Sequence, residues 1–575
     1  MAVGGAARGG PGVVVIGVIV APPVILGPGG AGRPGPRAGG AYTVGMTGKP
    51  TFYVTTPIYY VNDKPHIGHC YTTLLADALA RFQRLDGRDV FFLTGTDEHA
   101  EKVVSSAREH GVTPLEWANQ NAAAFQRAFA DLGFTHSDFI RTTEPRHTDR
   151  VTGYIERLLE TGAVALGDYE GWFDESQEEY VTENVAREHD YKSPVTGRPL
   201  AKRTEKNYFF NLPDYADRLR EHIEANPGFI EPESRRNEVL GRIRGGLQRV
   251  PISRAAPEGS ASWGISMPGD PGHRVYVWID ALFNYLSVVD NEDLGRYWPA
   301  QVHLIAKDIL WFHAVIWPCM LMALDRPLPE RVYAHSYWIR EGRKMSKSLG
   351  NFIDTPTIEA YRSSFGDDAL RWYLLTQGPM GATDADFAHE RFVEVYNSDL
   401  ANGIGNAASR VTNMISKYFD GAAPDAGGVS EHAGHDWRAI VGRAVAHARV
   451  SAGATAIESM CRAGLEVSNA VDGYINATTP FKLAKEEGRR EELGVILYHC
   501  AEALRAAAVL LTPALPRAMG ELLRRLGQAP AVEADSLEAL CAWGGLAPGT
   551  PIDKGEALFP RADPDAEAPG APGAS

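Results

Sequence analysis

The chain has 575 residues, 44% hydrophobic and 22% charged, with a net charge of −15 and a pI near 5.6. That length exceeds what one hydrophobic core serves and suits three or four packed units of an ordinary globular protein. The acidic balance gives no sign of a nucleic-acid partner, although basic groups clustered on one face would still allow one. Cys70, Cys319, Cys461, Cys500 and Cys541 form no C-x-x-C pair, so neither a disulfide framework nor a zinc knuckle is signalled, and a reducing cytoplasm fits.

Residues 1–48 are rich in Gly, Pro and Ala, with an apolar run from Val13 to Leu26 broken by Pro22 and Pro23. The run is shorter than the ~20 apolar residues of a membrane span. With only Arg8 before it and no clear A-x-A site after it, the segment reads as a disordered tail or as sequence upstream of a start at Met46. From Thr51 the texture changes. Phe52 to Thr55 predicts a strand, followed by a loop with Pro57, Asn62, Asp63 and Pro65. Leu74, Leu75, Ala78, Leu79 and Phe82 recur at helical spacing, which predicts a helix over about His69 to Leu85. Asp89 to Gly95 then predicts a short buried strand, completing a βαβ unit. Thr113, Pro114 and Glu116 form a capping-box start for another helix.

Residues 163–268 are polar and aromatic-spotted and read as an insertion between two sheet-forming segments, 49–162 and 269–389. Apolar runs at Arg274 to Leu286, Val302 to Ile305 and Val332 to Ile339 are expected to supply the second half of the sheet. Residues 390–562 are long, Ala-rich and amphipathic, a separate all-α bundle, and 563–575 read as a tail. The fold class is therefore α/β: a Rossmann-like, doubly wound parallel sheet split by an inserted domain and followed by a helical bundle.

Two short signatures carry chemistry. His66-Ile67-Gly68-His69 opens the first helix, where backbone N–H groups attract phosphate and Gly68 lets a nucleotide approach the backbone. Lys344-Met345-Ser346-Lys347-Ser348 is a cationic loop suited to gripping a pyrophosphate as its charge builds. Either string alone would pass for structural histidines or a solvated loop. In this order, on the two halves of one sheet, they resemble the HIGH and KMSKS motifs of class I aminoacyl-tRNA synthetases. TPIYYVNDKPHIGH, TGTDEH, VWIDALFNY, AKDILWFH and KMSKSLGN resemble the methionyl-tRNA synthetase family in order and approximate spacing, and the likeness runs from about Thr51 to Pro560.

The resemblance implies activation of methionine by ATP and transfer of methionyl to the 3′ end of tRNA(Met). The substrate carboxylate is already a nucleophile, so such a site needs positioning and phosphate-charge stabilisation rather than a general base. It implies ATP contacts from His66, Gly68, His69, Asp308, Lys344, Ser346 and Lys347, with Mg²⁺ arriving on the nucleotide. Arg254, in PISR, matches a family arginine implicated in activation, although a surface arginine would read the same. Asp97 is implied as partner of the methionine ammonium group; taken alone it is a turn aspartate. Ile58, Trp278, Ala281, Tyr285, Phe312, His313 and Trp317 match methionine-pocket positions, an aromatic set that suits a polarizable thioether and that would otherwise read as core. In the Lys307-Asp308 element Ala306 replaces the family's glycine. Asn406 and Arg410 match the pair that reads anticodon bases, and Phe481 stands where the family carries a stacking tryptophan; a core phenylalanine is the alternative. Where relatives carry cysteine knuckles, this chain has Ser193 and Thr196 with only His189 nearby, so no zinc is expected and Trp172, Tyr180 and Tyr191 are candidates to hold the fold. A monomer is expected.

Isoleucyl, valyl and leucyl enzymes share both motifs but need editing insertions larger than this one, and a cysteinyl enzyme would show zinc-binding cysteines. A non-catalytic tRNA-binding or regulatory paralogue is opposed by the intact pairs His66/His69 and Lys344/Lys347. A nucleotidyltransferase acting without tRNA is opposed by the long bundle with Asn406 and Arg410.

Overall fold

Strand β1 (Thr51–Tyr60) is buried without a break from Thr51 to Pro57, as befits a central strand of a parallel sheet covered on both faces. The computed structural model describes residues 48–61, 64–175, 179–181, 183–256, 263–340, 342–345, 351–565 and 567–569. Helix α1 (Ile67–Leu85) leads from β1 to β2 (Asp89–Asp97). With β3 (Asp138–Arg141), β4 (Ile230–Glu231), β5 (Val302–Ala306) and β6 (Val332–His335) these strands form a parallel sheet in the order β3-β2-β1-β5-β6-β4. The order reverses between β1 and β5. In such sheets a crevice opens there beyond the carboxyl ends of the strands, and here those ends are Tyr60, Asp97, Ala306 and His335. The Rossmann-like class read from the βαβ pattern is the class observed.

Several elements depart from expectation. β1 runs on to Tyr60 rather than stopping at Thr55, because the register with β2 shifts between Thr55 and Ile58. That irregularity accommodates Pro57, which has no N–H for a regular ladder. Arg274 to Leu286 is not a strand of the main sheet. Asp270–Val275 pairs antiparallel with Ser253–Ala255 and Ser266–Met267, after which the chain turns into short helices at Val277–Leu282 and Asn284–Ser287. An apolar run is compatible with either element and does not by itself assign one. The run from Val332 breaks after His335, and Trp338–Arg340 joins a separate sheet with Arg343–Lys344 and Ala385–Asp386.

Between β3 and β5 an antiparallel sheet is built on Val164–Asp174 and Ala201–Phe210. At its tip, Trp172 packs on Tyr191 with ring centroids 4.6 Å apart, and both donate to the Glu183 carboxylate. Tyr180's side chain lies outside the described residues. Ser193 Oγ accepts from the backbone N–H groups of Val195 and Thr196, so a hydroxyl-centred turn stands where a C-x-x-C would be.

The C-terminal part is helical and includes α5 (Asn406–Tyr418), α6 (Ile457–Thr478) and α7 (Arg490–Leu511), after α2 (Pro145–Glu160), α3 (Val277–Leu282) and α4 (Asp367–Gln377) in chain order. One buried ion pair ties it to the sheet. Arg371 on α4 donates to Asp77 on α1 at 2.7 Å and to the carbonyls of Pro513 and Ala514, just beyond α7, at 3.0 and 3.1 Å. Asp77 also accepts from Thr135 and Arg81. Burial pushes its carboxyl upward, but the charges of Arg371 and Arg81 win and hold it at about 2.

Candidate active site

His66 is the N-cap of α1 and His69 its third helical residue. Gly68 N–H donates to His66 Nδ1 at 3.1 Å and His66 N–H donates to His69 Nδ1 at 3.2 Å, a capping box built from two imidazoles. The rings lie 3.7 Å apart, with His69 also against Tyr59 and Phe125. Burial pushes His66 down to about 4 and His69 well below the ordinary histidine range, so both are neutral at physiological pH. With each Nδ1 accepting a backbone proton, the ring proton sits on Nε2, leaving one N–H donor per histidine. The motif thus offers directed, uncharged donors at a helix start, where a phosphate is already favoured. His335, at the end of β6, donates through Nδ1 to its neighbour's carbonyl and accepts from Thr72 of α1 at 2.7 Å, fixing the helix start against the sheet edge.

Beside this helix start, Pro57, Ile58, Tyr60, Asp97, Trp278, Ala281, Leu282, Tyr285 and His313 line a narrow cavity. Its one carboxylate, Asp97, is 2% exposed and ends β2. His313 donates from Nδ1 to the Ile309 carbonyl at 2.9 Å, so Nε2 accepts the Tyr285 hydroxyl proton at 2.7 Å. Burial keeps His313 neutral, at about 4. Six of the eight residues expected in the pocket line it. The other two stand behind it: Phe312 stacks on Trp278 at 4.1 Å, and Trp317 is fully buried against Tyr285, donating to His303 at 3.3 Å. The cause is a π-helical turn at Phe312–Ile316, which shifts the side chains off ordinary helical spacing. Pro57, Tyr60 and Leu282 went unread. Tyr60 lies two residues from Ile58 on the same strand face, the one signal that would have found it.

At the end of β5, Ala306 has φ −85° and ψ 157°, an extended conformation open to any residue, so the backbone there does not require glycine. Asp308 is exposed in the turn that follows, at the sheet edge. Lys307 pairs with Asp384 at 2.5 Å and lies over the Tyr337 ring, and Lys344 approaches that ring at 5.3 Å. Ser346 and Lys347 lie outside the described residues. The segment just after them is fixed on the HIGH helix: Ile67 N–H donates to the Ile353 carbonyl at 3.2 Å, Thr355 donates to the Pro65 carbonyl at 2.8 Å, and His66 meets Phe352 edge-on. Phe352, Ile353 and Thr355 are thereby held at the start of the HIGH helix. Arg254 lies over the ring of Tyr276, the residue preceding α3, at 4.2 Å.

On the bundle, Asn406 is exposed and Arg410 half-buried, one turn apart on α5. Arg410 donates to Asp472 of α6 at 2.8 Å, a partner the sequence reading missed. Phe481, just beyond α6, is 44% exposed, so the reading of it as a core residue fails. Among the described residues, no group of three or more His, Cys, Asp or Glu side chains is placed to hold a metal ion.

A switch-point cleft with two neutral histidines at a helix start, and with Ile353 and Thr355 bonded to that start, is matched by a family described as tRNA synthetases class I (M), over residues 52–189 and 186–412. The match covers more than half of the chain, which places it among the class I tRNA synthetases. Relatives narrow the family. The methionine–tRNA ligases of Halalkalibacterium halodurans and Bacillus subtilis are each 42% identical, over 538 and 541 residues, covering 90% of this chain and 79% of each relative. The structure of Mycobacterium tuberculosis methionyl-tRNA synthetase bound by methionyl-adenylate aligns with a TM-score of 0.81 at 37% identity, covering 89% of this chain and 100% of that one. The chain belongs to the methionine–tRNA ligase family.

Proposed function

We propose that the cleft activates methionine with ATP, releasing pyrophosphate, and passes methionyl from the adenylate to the 3′ end of tRNA(Met), with the roles divided as follows. The narrow cavity ending in a single buried carboxylate is the observation that carries this reading. A thioether side chain fits against Trp278, Tyr285 and His313, with Ile58 and Ala281 shaping the walls and Phe312 and Trp317 supporting them. Asp97 takes the ammonium group. The substrate carboxylate then attacks the α-phosphorus of ATP; the P–O bond to pyrophosphate breaks and its electron pair leaves with the pyrophosphate. No proton moves in this step, which agrees with a site whose histidines are held neutral.

His66 and His69 donate to phosphate oxygens through Nε2–H, and Gly68 allows the nucleotide close to the helix start. Lys344, Ser346 and Lys347 receive the departing pyrophosphate, Asp308 holds the ribose hydroxyls, and Arg254 assists activation. Mg²⁺ enters with ATP as part of the substrate, held mainly through phosphate and water. Asn406 and Arg410 read anticodon edges, Asp472 orienting the guanidinium, while Phe481 offers a stacking face. The sheet-forming segments 49–162 and 269–389 are the catalytic domain, 163–268 the connective insertion and 390–562 the anticodon-binding domain. The enzyme works in the cytoplasm as a monomer, and a light-scattering mass of twice the chain weight would refute the last point.

Three variants separate the roles. Asp97→Asn raises KM for methionine in ATP–pyrophosphate exchange while leaving that for ATP unchanged. Lys344→Met lowers kcat of exchange. Arg410→Gln leaves exchange intact and slows tRNA charging. Loss of exchange in Arg410→Gln, or an unchanged methionine KM in Asp97→Asn, would overturn the assignments.

A further inference from the structure

Asp97 is followed by Glu98 and His99, and both are anchored in opposite directions. Glu98 is fully buried and accepts from Arg141 at 2.7 and 3.0 Å, from Thr143 at 2.5 Å and from Thr96 at 2.9 Å, tying the loop back onto β3. His99 instead donates from Nδ1 to Asp280 at 2.6 Å. Asp280 is 1% exposed and lies on α3 between Trp278 and Ala281, two cavity residues. Its second oxygen accepts from His147 Nε2 on α2 at 2.7 Å, and His147 in turn meets Ser287 at 2.9 Å. A carboxylate thus sits between two imidazoles, one from the loop that carries Asp97 and one from a helix packed behind the cavity. Burial opposes its charge, but His99 and His147 more than compensate and hold it at about 2, so it remains a fixed acceptor.

We infer that His99 and Asp280 are positioning residues for methionine recognition: their hydrogen bond ties the ammonium-binding end of the cavity, Asp97, to the wall that meets the thioether, Trp278 and Ala281. The physical logic is that of an outer shell. A charge-assisted hydrogen bond of this length fixes a loop end far more narrowly than apolar packing does, and a charged partner must be held to within a fraction of an ångström to bind well. Neither residue lines the cavity, so each acts through its neighbours, and with its volume kept, loss of the bond loosens Asp97 on the side facing α3 without removing any wall, while Glu98 still holds the loop to β3. The inference rests on Asp97 as the ammonium partner.

The test uses the full-length chain, L-methionine, and 4-(methylthio)butanoate, which keeps the thioether and carboxylate but lacks the ammonium group. The dissociation constant of each is obtained by calorimetry or by inhibition of methionine-dependent exchange. His99→Phe removes the donor and keeps ring volume; His99→Ala removes it without adding bulk; His99→Asn restores an N–H near the Nδ1 position. In the Phe and Ala variants, methionine is expected to weaken by about tenfold, the value of one good charge-assisted contact, while the desamino ligand stays within about twofold. His99→Asn is expected to recover most of the loss. Equal weakening of both ligands, or no weakening of either, would overturn the inference. A wild-type protein that holds both ligands equally would instead overturn the reading of Asp97 itself.

Discussion

Arg371→Met removes the charged centre of the joint between the bundle and the HIGH helix. In the native chain Arg371 is 2% exposed and Asp77 fully buried, 2.7 Å apart. Deleting one partner of such a pair leaves an uncompensated buried charge, at a cost of ~3–5 kcal/mol. Arg81, at 2.8 Å, and the two bonds from Thr135 remain and favour the low end. For a unit of about 500 residues the entropy of unfolding is ~1 kcal/mol per degree, so ~3 kcal/mol lowers the melting temperature by only ~3 °C. The pH dependence is the sharper signature. In the native chain the Asp77 carboxyl lies at about 2, below its unfolded value, so its stabilisation is complete above the ordinary carboxylate range and disappears as pH falls through 2. Without Arg371 the largest of the charges that lower that pKa is gone, so the carboxyl moves up from its native position. The variant's carboxyl takes up its proton at a higher pH than the wild type's, so its deficit against wild type shrinks as pH is lowered from about 7.5 into the acid range. Calorimetric melting of both proteins across that range reads the difference directly. A deficit below ~1 kcal/mol, or one that grows on acidification, would refute the account of this joint.

Tyr285→Phe keeps the cavity wall but strips His313 Nε2 of its donor; an unsatisfied buried acceptor costs ~1–3 kcal/mol, and steady-state exchange is expected to show methionine KM raised about tenfold with ATP KM unchanged. Acid stability follows His313 and His335, both pushed down by burial to about 4. The unfolded chain binds their protons first, so their stabilisation is full above about 6.5 and is lost as pH falls through 4, at up to ~3 kcal/mol each. Replacing His335 with Gln should flatten the melting curve in that window. Phe481→Ala is expected to weaken tRNA binding by ~1–3 kcal/mol, measured as charging KM, with amino-acid activation unaffected.

The residues legible in the sequence share one property: each stands in a contiguous string whose order along the chain is itself informative. His66 and His69, Asp97, and Trp278 with Ala281 and Tyr285 were reached that way. What escaped depends on partners remote in sequence. His99 and Asp280 are 181 residues apart and meet only when the end of β2 folds against α3. Asp472 likewise finds Arg410 across two helices. The sheet segment expected at Arg274 to Leu286 failed because apolar character alone does not separate strand from helix, and this stretch holds a strand end and two short helices. Phe312 and Trp317 were assigned to the cavity by motif position, and a π-turn, which has no dependable sequence marker, rotated them out of its lining.

The central claim is that this cleft activates methionine, and ATP–pyrophosphate exchange with each of the standard amino acids in turn tests it most directly. The expected result is exchange with methionine alone, abolished or slowed when His66 or Lys344 is replaced. Silence with every amino acid from a folded chain, or equal exchange with leucine or isoleucine, would contradict it.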